Sequence, residues 1–118
     1  MKNEVTREEA RQILRKGILD MNVSRLIQMS HFGLMGNIVL SNKMVCVENA
    51  FNHISYDEKS NVITFSVEES QASYGAIAFL VNAVVEILGC EDKENPEDYL
   101  NVEIKLENDT TVKIKILY

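Results

Sequence analysis

The sequence predicts an α+β domain with two helices and a mostly antiparallel sheet of about five to six strands, in the order α-β-β-β-β-α-β-β. Three observations support this class: a capped amphipathic pattern near the start, an apolar segment ending at Gly89, and alternating apolar residues elsewhere. The 118 residues are 46% hydrophobic and 25% charged, which suits a single globular domain, residues 1–118, with one core.

The first helix is predicted from its capping residues. In VTREEA, Thr6 can cap the helix and Glu9, three residues later, completes a capping box. Val5 and Ala10 occupy the two positions of a hydrophobic staple. A helical spacing then recurs, so we expect a helix from about Arg7 to Met21, with these residues on one face: Ala10, Ile13, Leu14, Gly17, Ile18 and Met21.

The stretch SHFGLMGN, residues 30–37, contains a change in the apolar pattern. Ile27 and Met29 are apolar at odd positions, whereas Phe32 and Leu34 are apolar at even positions. In a strand, such a shift sends later side chains to the opposite face, and a β-bulge or bend at Gly33 would accommodate it. A phosphate-binding loop is disfavoured, because such loops use several glycines that lead into a helix.

Two β-hairpins are predicted. Residues 51–67 place polar turn residues at 57–61, with Ile54 and Tyr56 on the same face as Ile63 and Phe65. Residues 100–116 carry even-numbered apolar residues on both arms, so the connecting loop must hold an odd number of residues. A three-residue loop at Asn108–Thr110 satisfies this requirement.

The second helix is predicted to begin near Ser70 or Ser73 and to end at Gly89 as a C-cap. It would be apolar nearly all round, apart from Asn82 and Glu86, which would lie one turn apart. One interpretation is the exposed strip of a helix that packs on a sheet.

The other interpretation is a ligand pocket or a subunit contact. A helix apolar on most sides is hard to cover within one small domain, so part of it could pack against a second copy. The candidate ligand-binding residues are His31, Phe32, Phe79, Asn82 and Glu86.

Acidic residues are concentrated near the end of the chain. The net charge is −6, and residues 91–109 hold eight acids and two lysines. This balance disfavours nucleic acid and favours either a basic protein partner or a merely solvated loop. The candidate partner-binding residues are Glu91, Asp92, Glu94, Glu97 and Asp98.

Arg7, Arg11 and Arg15 form a stripe along one edge of the first helix. The stripe could contact an anion or an acidic partner. Alternatively, the arginine stems cover apolar neighbours while their charged ends stay in water.

Residues suited to metal binding or catalysis are few. Cys46, Cys90, His31 and His53 lack the short spacing that presents two metal ligands together, so we predict no metal and no cofactor. Cys46 and His53 could approach each other, but no orienting third group is evident. In an enzyme, His53 or Glu86 would be the general base.

We therefore expect a small acidic, cytoplasmic, non-enzymatic binding protein that occupies a partner with a basic surface. Its size and acidity are similar to those of phage inhibitors of bacterial defence and toxin-immunity proteins, a likeness of composition that covers no motif. The alternatives are a homo-oligomeric small-molecule-binding protein with a pocket near the second helix, and an enzyme. Unpaired cysteine spacing, the lack of a signal peptide and the lack of a long apolar run favour the cytoplasm over a membrane or an oxidising compartment.

Overall fold

The computed structural model describes residues 6–69 and 72–118 and confirms the α+β class. The described residues form helices α1 (Arg7–Leu19) and α2 (Val23–Gln28), with short 3-10 helices at Met29–His31 and Val81–Ala83. The strands are β1 (Met35–Ser41), β2 (Cys46–Phe51), β3 (His53–Asp57), β4 (Val62–Glu69), β5 (Ala72–Leu80), β6 (Val84–Glu91), β7 (Tyr99–Leu106) and β8 (Thr110–Leu117).

The strands form two antiparallel sheets rather than one. The larger sheet has the order β2-β1-β8-β7-β6, and the smaller has the order β3-β4-β5. In the larger sheet β8 lies at the centre, between β1 and β7. The eight strands exceed the predicted five to six because residues 72–91 add β5 and β6.

Helix α1 forms where its capping residues predict. The Thr6 side chain accepts a hydrogen bond from the backbone N–H of Glu9 at 3.1 Å. The helix ends at Leu19, two residues before the predicted end, and buries Ile18 against the sheet. Val5 of the predicted staple lies outside the described residues.

The predicted helix between residues 70 and 89 is wrong in its described part. Residues 72–91 form β5, a 3-10 turn and β6, because β5 pairs with β4 and β6 pairs with β7. An apolar run without clear periodicity suits either state, and here strand pairing decides it. The second α-helix is instead α2, whose cap Asn22 accepts from the N–H of Arg25 at 2.9 Å.

The predicted bend at Gly33 is also wrong. The chain is helical up to His31 and enters β1 at Met35, so the change of pattern marks a helix-to-strand transition. A methyl group at Gly33 would meet no atom within 4 Å. At Gly36 it would lie 1.8 Å from the carbonyl oxygen of Lys115, so Gly36 is the constrained glycine of the stretch.

Both predicted hairpins are confirmed. Ile54 pairs with Phe65 and Tyr56 with Ile63, as the shared face requires. Leu106 pairs with Thr110, so the second loop holds three residues, 107–109, one position earlier than predicted. Its residues Asn108 and Asp109 have φ values of 63° and 58°.

The main core lies on the helix-facing side of the five-stranded sheet. Helix α1 crosses β6 so closely that a methyl group at Gly89 would lie 1.7 Å from the carbonyl oxygen of Ile18. Gly89 therefore allows this crossing and is not a helix cap. Six buried side chains of the two central strands form the floor: Leu100, Val102, Ile104, Val112, Ile114 and Ile116.

We predict that Gly36→Ala lowers the free energy of unfolding by about 1–3 kcal/mol or more, because the new methyl group would overlap the β8 backbone. The control Gly33→Ala should change it by less than about 0.5 kcal/mol, since the space beside Gly33 is open. Urea denaturation of both variants measures the difference. Equal losses would show that the Gly36 contact imposes no constraint.

Candidate acidic binding surface

Helix α1 holds the acidic loop, residues 92–98 between β6 and β7, by hydrogen bonds to the main chain of the loop. Arg11 donates from Nη2 to the carbonyl oxygen of Glu97 at 2.7 Å. Arg15 donates from Nη1 to the carbonyl oxygen of Pro96 at 3.3 Å. Arg11 and Arg15, two of the three arginines of the stripe, thus bind the backbone of the acidic loop rather than its carboxylates.

Tyr118 completes this junction. The Arg11 guanidinium lies 4.8 Å from the centre of the Tyr118 ring, a favourable cation–π distance. The Tyr118 hydroxyl accepts from Arg15 Nη1 at 2.8 Å and donates to the carbonyl oxygen of Pro96 at 3.0 Å. Arg15 also pairs with Glu91 at the end of β6. The charge of Arg15 is therefore compensated inside the protein.

Asp92 holds the loop from the side of the sheet. Its carboxylate accepts from the N–H of Asn95 at 2.9 Å and from the Asn101 amide at 3.0 Å, and it lies 3.7 Å from Lys115 Nζ. The Asn95 N–H and then the Asn101 amide hold the pKa of the Asp92 carboxyl below its usual range. In addition, the N–H of Tyr118 donates to the carbonyl oxygen of Asp98 at 3.0 Å.

The carboxylates that remain on the loop face solvent. Glu94, Glu97 and Asp98, which we call the acidic surface, are exposed and form no ion pair with the described residues. Glu97 and Asp98 line an open groove of about 420 Å³ between α1, the loop and Tyr118. The loop thus presents three carboxylates on a backbone fixed from two sides.

The other two predicted partner-binding residues have internal contacts. Glu91 is half exposed and pairs with Arg15. Asp92 is only 8% exposed, and its carboxylate accepts hydrogen bonds from Asn95 and Asn101 of the same chain. We therefore leave both residues out of the acidic surface.

The five predicted ligand-binding residues lie at separate places. Phe79 is buried in the three-stranded sheet, and Glu86 pairs with Lys105 at 3.3 Å on an exposed face of the larger sheet. Asn82 is exposed and accepts from the Asn61 amide at 2.5 Å. His31 and Phe32 are exposed where the first 3-10 helix ends.

The common face that motivated this pocket required a helix. Asn82 instead lies in the 3-10 turn Val81–Ala83 and Glu86 lies in β6, beyond a register shift between Val84 and Glu86, so the two residues are not one helical turn apart. The groove beside α1 is lined by none of the five residues. The subunit contact predicted through the same helix loses its structural basis for the same reason.

Residues considered for catalysis or metal binding are also dispersed. His53 is half-buried on β3, with Nε2 3.5 Å from a Glu68 carboxylate oxygen. Cys46 is an exposed free thiol, and partial burial, followed by the negative charge of Glu103, raises the pKa of the Cys90 thiol. Within residues 6–69 and 72–118, no group of three or more His, Cys, Asp or Glu residues is placed to hold a metal ion.

In the same part of the chain, no helix has both the length and the apolar character that a bilayer crossing requires.

The sequence indicates the arginines of the junction between α1 and the loop, but not the residues that they contact. Arg11 and Arg15 were visible as neighbours on one helix face, but their partners lie 76 to 103 residues away along the chain. Tyr118 carried no pattern that pointed to α1.

No protein-family model, curated protein or solved structure matches this chain.

We predict that Asp92→Asn lowers the melting temperature at neutral pH, because the amide accepts the hydrogen bonds of Asn95 and Asn101 less well. A carboxyl whose pKa is lowered on folding stabilises the protein above its unfolded-state pKa, near 3.8, and loses that contribution as the pH falls through the folded pKa. The difference in melting temperature between the wild type and Asp92→Asn should thus be constant above about pH 5 and should shrink in stronger acid.

Thermal unfolding across this pH range tests the expectation. Glu94→Gln serves as the control, since its exposed side chain makes no ion pair with the described residues. A gap that stays unchanged down to the lowest pH would mean that Asp92 ionisation does not stabilise the loop.

Proposed function

We propose that this protein is a non-enzymatic binding protein that occupies a basic surface of a protein partner through its acidic surface. The observation that supports the proposal is the fixed backbone of the acidic loop. Arg11 and Arg15 bind its carbonyl oxygens, and Glu94, Glu97 and Asp98 are left exposed.

Order in the loop favours affinity. A mobile acidic segment would lose conformational entropy when it bound, whereas a loop already held from α1 and from the sheet loses less. The exposed carboxylates would also speed association with a cationic partner and would disfavour an anionic one.

The neighbouring arginines do not cancel the negative charge. Glu8, Arg11, Arg15 and the segment from Glu91 to Asp98 together contain six acids and three bases, a net charge of −3. Arg15 pairs with Glu91, and Arg11 lies 3.7 Å from Glu8. Both guanidinium groups also donate to loop carbonyl oxygens, which leaves their charge unchanged, so the net charge of −3 remains at this end of the protein.

An inhibitory or immunity-type role is part of this proposal. A protein that works by covering a basic site on its partner needs no nucleophile, metal or general base of its own. We place this activity in the cytoplasm, where the free thiols of Cys46 and Cys90 would stay reduced.

The proposal is tested by titrating ¹⁵N-labelled protein with a hexa-arginine peptide as a defined basic probe. We expect saturable shifts of the amide signals of residues 93–98 other than Pro96, which should weaken as salt rises from about 0.05 M to about 0.5 M. Changing Glu94, Glu97 and Asp98 together to lysine should abolish these shifts without lowering the melting temperature. The same triple variant should fail to capture the natural partner.

The matched control changes Glu48, Glu58 and Glu107 to lysine. These exposed residues lie outside the loop, and each triple variant has a net charge of zero because each substitution adds two positive charges. The control should retain the shifts at residues 93–98. If both variants lose binding equally, the peptide responds to overall charge alone and the acidic surface is not a site.

A further inference from the structure

Helix α1 depends on very few buried contacts. All 13 of its residues are described, and only Ile18 is buried. An isolated helix of this length is marginal in water, so its stability must come from its contacts with the rest of the protein.

The side-chain hydrogen bonds that join α1 to the rest of the protein go to the acidic loop and to the residues beside it. Arg11 reaches Glu97, and Arg15 reaches Pro96, Glu91 and Tyr118. Its apolar contacts with the rest of the protein include Ile18, which crosses Gly89, and Leu14, which packs on the core.

The sheet beneath α1 has many more buried side chains. Its central strands β7 and β8 pair along their whole length and carry six fully buried side chains. Segments with few buried apolar contacts open at a lower free energy than the core of the same protein.

We propose that α1 and the second half of the acidic loop, residues 95–98, form one cooperative unit that detaches from the sheet while β7 and β8 stay folded. Arg11, Arg15 and Tyr118 hold this unit closed. On opening, Glu91 loses its partner, and the carbonyl groups of Pro96 and Glu97 lose their donors, while Asp92 still tethers the first half of the loop.

This opening would control the acidic surface. In the closed state the arginines are bound to loop carbonyl oxygens, and in the open state they become free cations beside a less ordered loop. A basic partner would therefore bind the closed state better, and its binding would stabilise α1. This consequence for binding rests on the proposed function, but the opening itself does not.

Native-state hydrogen exchange of the complete chain, without any partner, tests the opening. The amides of Asp98 and Tyr99 both donate to the carbonyl oxygen of Asn95 in the loop, so they report its opening. We expect them and the amides of Leu14 and Ile18 to exchange with the same opening equilibrium, faster than Val102 and Ile114. Arg15→Ala removes hydrogen bonds made by a charged group, so it should speed exchange in both segments by one common factor of about ten or more. Exchange of Val102 and Ile114 should be unchanged.

Lys16→Ala is the matched control, because it removes the same charge from an exposed neighbouring position and should alter neither segment. Arg11→Ala provides a second test if Arg15→Ala unfolds the protein, and it should again speed both segments equally. Faster exchange in α1 alone would overturn the common unit. An equal rise at Val102 and Ile114 would overturn separate opening. Either result leaves the peptide titration of the acidic surface to be judged by itself.

Discussion

The central position of β8 is the constraint on which the rest of the structure depends. This strand pairs with β1 on one side and with β7 on the other, which joins the first strand of the sheet to the last hairpin. The close approach of β1 to β8 requires a residue without a side chain at Gly36. The same strand carries Lys115 to Asp92 and leads to Tyr118, which lies against the arginines of α1.

The acidic loop shows how a strongly charged segment can be ordered without being neutralised. Main-chain carbonyl oxygens receive the two guanidinium groups, and a buried carboxylate receives a loop N–H. Each of these hydrogen bonds involves a charged group and is stronger than a neutral one. Because the exposed carboxylates take no part in them, the loop keeps its shape and its negative charge together.

Residues 72–91 explain why the pocket hypothesis failed. As a helix they would have left an apolar surface to cover and two polar residues to satisfy. As strands they place Phe79 and Ile77 in the core, and Glu86 opposite Lys105 in solvent. The polar residues that suggested a ligand are satisfied by ordinary surface partners, with Asn82 bonded to Asn61.

The sequence by itself determined the features whose signals are local. These are the capped start of α1, the α+β class and the two hairpins, including the odd loop length that the parity of their apolar residues requires. It also placed five acids in the segment that became the acidic loop and its border, although it could not distinguish the buried Asp92 from its exposed neighbours. Tertiary structure alone decided the state of residues 72–91, since an apolar run becomes a strand only when neighbouring strands offer their backbone groups. It alone also brought Arg11, Arg15 and Tyr118 to the loop, because contacts spanning up to 103 residues leave no periodic trace in a sequence.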